Sequence, residues 1–150
     1  MIKKDDIFKI VAPCGLLCYT CDGLEGGIIN ETAKKLLFLL ESYESVVKTY
    51  SKSTPVLTKY DNFKEVLEHF ANVNCKGCRE GKCNNSDCIV PTCIKEKNIN
   101  FCFECAEFPC EKTGFDDKLK DKWIRKNLKI KKIGFEKYFE EEKAKAHYST

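Results

Sequence analysis

Eleven cysteines among 150 residues are the part of this sequence equipped for chemistry, and their spacing sorts them. Eight lie close together: Cys75, Cys78, Cys83, Cys88, Cys93, Cys102, Cys105 and Cys110. Two pairs, Cys75-Lys-Gly-Cys78 and Cys102-Phe-Glu-Cys105, have the two-residue spacing with which a tight turn aims both sulfurs at one ion. Eight thiolates suffice for two closed tetrahedral zinc sites, with Zn–S near ~2.3 Å and no position left for substrate. The expectation is structural zinc, contributing on the order of 10 kcal/mol of folding free energy per site. Sequential pairing (Cys75, Cys78, Cys83 and Cys88, then Cys93, Cys102, Cys105 and Cys110) and interleaved pairing both satisfy the spacing. An iron–sulfur cluster is the alternative, against which stands the absence of a C-x-x-C-x-x-C-x-x-x-C-P run.

The other three, Cys14, Cys18 and Cys21, form C-x-x-x-C-x-x-C, the spacing by which radical S-adenosylmethionine enzymes hold a four-iron cluster. Those enzymes need a partial barrel of alternating strands and helices, and no such alternation is present. The better expectation is a three-thiolate zinc site completed by a remote ligand, with Cys83, His69, His147 and Asp22 as candidates. Water in the fourth position would make such a site catalytic.

The elements that position these thiols are helical. Ala33, Leu36, Leu37, Leu40, Tyr43, Val47 and Tyr50 recur at steps of three and four, which predicts a helix capped by Asn30. Phe63, Val66, Leu67 and Phe70 predict a second, capped by Asp61, with Ser53-Thr54-Pro55 as the break. Residues 30–72 thus read as an antiparallel helical pair and residues 74–111 as a loop-rich cysteine cluster. Helical spacing returns over 116–146, with Leu119, Trp123, Ile124 and Leu128, then Phe135, Tyr138 and Phe139 after Gly134. The expected fold is one small domain, α+β or mainly α, with helices flanking an irregular metal-rich centre of zinc-finger-like loops. Phe103, Phe108 and Trp123 are expected to cover the metal sites.

Composition narrows the setting. Hydrophobic residues at 43% and charged residues at 33% are ordinary for a globular chain and exclude a fibrous or wholly disordered one. The longest apolar run, Leu36 to Leu40, is far short of the roughly 20 residues of a membrane span. No apolar leader precedes Cys14, so a reducing cytoplasm is the expected compartment, where clustered cysteines read as metal ligands before disulfides. Gly23-Leu24-Glu25-Gly26-Gly27 lacks the Gly-Lys-Ser/Thr ending of a phosphate loop and reads as a connection.

On these residues the chain resembles a prokaryotic family of small cysteine-rich proteins, domain of unknown function 3795. The resemblance is carried by Cys14-Gly15-Leu16-Leu17-Cys18-Tyr19-Thr20-Cys21, Cys75-Lys76-Gly77-Cys78-Arg79 and Cys88-Ile89-Val90-Pro91-Thr92-Cys93. Its most specific string is Cys102-Phe103-Glu104-Cys105-Ala106-Glu107-Phe108-Pro109-Cys110 with the residues from Lys95 that lead into it. It continues through Ile130 to Glu142. The resemblance implies metal binding, foremost zinc, and makes Cys83 the most adaptable ligand; it implies no activity, substrate or partner.

Three functions compete. The first is a non-catalytic zinc-binding protein presenting a surface to a protein partner, favoured by closed sites and by the lack of a nucleophile triad with only His69 and His147 available. The second is an enzyme or redox protein using Cys14, Cys18 and Cys21, with an exposed thiol or an open metal position. The third is nucleic-acid binding by the basic helix over 118–132, where Lys118, Lys120, Lys122, Arg125, Lys126, Lys129, Lys131 and Lys132 oppose Asp121 alone. A solvated helix face is the simpler reading of that stretch, because Glu136 and Glu140 to Glu142 follow at once. Two zinc sites of four thiolates each would also lower the formal charge from +3 to about −1, which disfavours nucleic acid further.

Overall fold

The computed structural model describes residues 2–80 and 87–148, and Cys83 lies outside them. Among the described residues there are seven α-helices: α1 Lys4–Ile10, α2 Ile28–Leu39, α3 Glu44–Tyr50, α4 Tyr60–Ala71, α5 Val90–Glu96, α6 Asp117–Ile133 and α7 Phe135–Glu142. The fold is small and mainly helical, 57% helix, and extended pairing among the described residues is limited to the bridges Val11 with Leu17 and Leu24 with Cys75. The α+β option is thereby set aside. No described helix is long and apolar enough to cross a membrane.

The core assembles from elements distant in sequence. Ile7 on α1, Val11 and Leu17 beside it, Phe101, Ile130 on α6, and Tyr138 and Phe139 on α7 form one buried cluster. Several of its aromatic contacts are edge-to-face, as between Phe8 and Phe101 at 5.9 Å and Tyr19 and Phe139 at 5.4 Å, an arrangement the ring quadrupoles favour. A second cluster gathers Ala12, Cys14, Cys18, Leu24, Val90 and Ile94 around Trp123, which is 1% exposed. The thiol-bearing loops are therefore walls of the core.

Several local expectations change. The helix expected from Asn30 to Tyr50 breaks after Leu39, where Ser42 takes a left-handed φ of 64°. Asn30 is no cap: it lies within α2, fully buried, and its amide donates to the carbonyls of Phe70 and Ala71 on α4. Asp61 falls inside the first turn of α4 without capping it, whereas Asp116 does cap α6 by accepting from the Leu119 N–H at 2.8 Å. Helix α1 and helix α5, inside the segment read as loop, are too short to show a full period. Helices α2 and α4 do pack together, on a thin core of Ala33, Leu67 and Ala71, leaving Phe38, Leu39, Val56 and Val66 exposed.

Candidate metal centre

The loop carrying the first three cysteines is shaped by tight backbone bonds. The Gly15 N–H donates to the Ala12 carbonyl at 2.8 Å, and the Ala12 N–H to the Leu16 carbonyl at 2.9 Å. Gly15 has φ of +81°, and a Cβ there would meet the Asn127 backbone nitrogen at 3.1 Å, so the residue after Cys14 must be glycine on both counts. Three long-range bonds then fasten this loop. Tyr138 Oη donates to the Gly15 carbonyl at 2.6 Å, Asn127 Nδ2 to the Cys14 carbonyl at 2.7 Å, and the Cys102 N–H to the Pro13 carbonyl at 3.0 Å. The last bond joins the first cysteine loop to the Cys102–Glu104 turn.

The second segment arrives by the Leu24–Cys75 bridge, with the Glu25 N–H on the Cys75 carbonyl at 3.0 Å. Arg79, next to Cys78, secures it. Its guanidinium lies 3.9 Å above the Phe8 ring and 4.7 Å from Phe101, and donates to the carbonyls of Phe8, Val11 and Asn100.

These constraints gather the described thiols in two places. Cys14, Cys18, Cys21, Cys75, Cys78 and Cys88 line one cavity of about 130 Å³, with His147 in its wall. Cys93, Cys102, Cys105 and Cys110 line a smaller one of about 30 Å³, closed by Phe108 and Trp123. The first three cysteines thus share a chamber with three from the central segment. No disulfide joins any of the ten described cysteines, and the sulfurs of Cys18 and Cys78 stand 4.0 Å apart. Among the described residues no three Cys, His, Asp or Glu side chains are drawn into a set that could hold a metal ion. The thiols share walls, not a formed coordination shell.

The surroundings nevertheless favour sulfur as an anion at several points. Backbone N–H groups two residues on face the sulfur at Cys75, where Gly77 N is 3.4 Å away, and at Cys14, Cys21 and Cys105. Lys97 Nζ is 3.2 Å from Cys105 Sγ, and these donors hold that thiol below its usual range. The Cys78 contact lowers Cys18 to about 7. Burial works the other way: it pushes Cys14 far up, and Cys21 and Cys102 up to about 11. Trp123 Nε1 is the one buried side-chain nitrogen or oxygen among the described residues that makes no hydrogen bond, and its influence on Cys102 favours the thiolate. Soft sulfur donors and an unused N–H beside them match the chemistry of a zinc or iron–sulfur site, where a cation balances thiolates that burial alone would protonate.

The remaining candidates separate. His147 Nδ1 lies 3.1 Å from both the Leu17 carbonyl and Thr20 Oγ1. Because the Thr20 hydroxyl also donates to Leu17, the network assigns the proton to Nδ1 and leaves Nε2 able to accept or ligate. His69 is instead exposed in a cleft with Asp22, away from the thiol cavity, because α4 turns that face outward. Asp22 accepts from Tyr148 Oη and lies 3.4 Å from Cys21 Sγ. Phe103 does not cover the thiols; it stacks on Phe101 at 5.6 Å, with Phe108 and Trp123 left to that task.

Two residues that position the loops escape sequence reading. Asn127 follows Trp123 by four and precedes Ile130 by three, a spacing that places it on the buried face of α6, and it is fully buried. Arg79 carries no such signal. The basic stretch is also dispersed: Lys120 pairs with Glu111, while Lys126 and Lys129 pair with Glu142.

Over residues 10–115 the chain matches a family described as protein of unknown function (DUF3795). No curated protein and no solved structure matches the chain.

Proposed function

The chain belongs to this family of unknown function, and from that premise we propose that it is a cysteine-ligated zinc protein whose metal sites are mainly structural. The observation that carries the reading is the convergence of ten thiols, none in a disulfide, on two cavities, six around one and four around the other. In this reading Cys93, Cys102, Cys105 and Cys110 hold one ion with Trp123 Nε1 donating to a bound sulfur, and the six-thiol cavity holds the rest. Cys83, outside the described residues, is available to either. The metal supplies the positive charge that lets buried thiolates persist, and it crosslinks loops that have little other regular structure.

Support for a structural role comes from the loops themselves. Their backbone bonds run to α6 and α7, so order in the thiol segments propagates into the core. Metal analysis and a visible spectrum on anaerobically purified protein test the proposal. Two to three colourless zinc ions per chain are expected. A brown, iron-containing protein would replace zinc with a cluster, and metal-free folded protein would sink the reading.

A second reading, chemistry at Cys14, Cys18 and Cys21, is favoured by one observation: their cavity has six thiols and His147, more donors than one closed site uses. Alkylation of the native, metal-loaded protein separates the two. Resistance of all three thiols to iodoacetamide removes the basis for chemistry there.

A further inference from the structure

On the far side of His147 lies a different cavity, of about 330 Å³, between α6, α7 and residues 16–20. We propose that it binds the phosphate group of a small molecule. Lys122, Arg125, Lys126 and Lys129 fall at positions i, i+3, i+4 and i+7 of α6 and so share the helix face that forms one wall, while Lys145 faces them from beyond α7. Five cations meet there, and among the described residues Glu142 is the one lining carboxylate.

Glu142 gathers more than it neutralises. Its side chain is 5% exposed, and it accepts from Lys126, from Lys129 at 2.9 Å and from Lys145 at 2.6 Å. One buried carboxylate thus fixes three ammonium groups around a common point and cancels the charge of one. Lys129 is further satisfied by Glu141 at 2.7 Å. Lys122 donates to the carbonyl of His147, another lining residue, at 2.7 Å. A phosphate dianion matches this set: its oxygens accept from the Arg125 fork and from ammonium groups as point charges, and its double charge answers the excess.

The shape selects a small ligand over a nucleic-acid strand. The cations converge within a concavity of ordinary ligand size. Lys118, Lys131 and Lys132, which a phosphate backbone following the helix would need, are not part of its lining. His147 belongs to both this cavity and the six-thiol cavity, so a ligand held here would lie beside the candidate metal centre. The phosphate site does not depend on metal being present there.

Titration of the full-length protein as purified with pyrophosphate, at constant ionic strength and followed by amide chemical shifts, tests the proposal. Saturable shifts are expected at Leu16, Leu17, Thr20, Lys122 to Lys129 and His147. Arg125 is exposed, so Arg125→Gln should leave the fold intact and weaken binding at least about fivefold. The control variant Lys131→Gln/Lys132→Gln, which removes two charges from the same helix outside the cavity, should leave the affinity unchanged. Absence of saturable shifts, or an equal loss in both variants, would overturn the site. So would tighter binding of a single-stranded oligonucleotide with sensitivity to Lys131 and Lys132, which would identify an extended nucleic-acid surface instead.

Discussion

The side-chain amide of Asn127 donates to the Cys14 carbonyl at 2.7 Å while its oxygen accepts from the Phe103 N–H at 3.1 Å. One fully buried side chain on α6 therefore ties the first cysteine loop, 113 residues before it, to the Cys102–Cys105 turn. The same amide also reaches the Trp123 carbonyl at 3.1 Å. Each bond satisfies a backbone group that has little access to water.

Replacing Asn127 by leucine leaves the Phe103 N–H and the Cys14 carbonyl without partners in the core. The expected loss is about 3 kcal/mol of stability, since each orphaned buried group costs about 1–3 kcal/mol. Urea denaturation measures it. Asn127→Asp should fare no better, because a carboxylate would face the Cys14 carbonyl with nothing to donate.

Gly15→Ala tests the close approach of the first loop to α6. The substituted residue must hold φ at +81° while its Cβ presses on Lys126 Cβ at 3.0 Å and on Asn127 Nδ2 at 3.1 Å. Backbone strain of about 1–3 kcal/mol is expected. Crowding of the Asn127 amide should add to it, and the thermal midpoint should fall accordingly. Gly26→Ala, with no atom within 4 Å of the added methyl, separates φ strain from crowding.

Arg79→Lys probes whether planarity or charge matters beside Cys78. Lysine keeps the charge but cannot stack on Phe8 while donating in a fork to the carbonyls of Phe8, Val11 and Asn100. A loss of about 2 kcal/mol is expected from the broken carbonyl bonds. Urea midpoints for Arg79→Lys and Arg79→Met should then be closely similar.

Glu142 links stability to pH. Burial raises its pKa, but the bonds from Lys126, Lys129 and Lys145 prevail and hold it at about 2, below the ordinary 4.5. The native state therefore binds fewer protons than the unfolded chain between those values. Its contribution is complete above pH 4.5 and disappears as pH falls toward 2. At neutral pH the ion cluster should contribute about 1–2 kcal/mol, after discounting for its partly exposed lysines. Glu142→Gln should lose that amount at pH 7, and its gap to the parent protein should narrow below pH 4.5 and close only below about pH 2, as read from urea midpoints.

The number and spacing of the cysteines, together with the period of the long C-terminal helix, were legible in the one-dimensional chain because each depends on neighbours within a few residues. Trp123 and Gly134 mark their positions by local rules of periodicity and termination. The same rules misplace Asn30, whose preference for a cap yields to three hydrogen bonds that bury it against α4 and Gly26. They also merge α2 with α3, since apolar spacing persists across the turn at Ser42. Which thiols share a cavity depended on bonds between residues 60 to 120 positions apart, such as Asn127 with Cys14 and Arg79 with Val11. The basic stretch likewise divided only when α7 turned back at Gly134, bringing Glu142 to one face of α6. Spacing records which groups are available; tertiary packing, set by burial and by the need to satisfy each buried polar group, decides which of them meet.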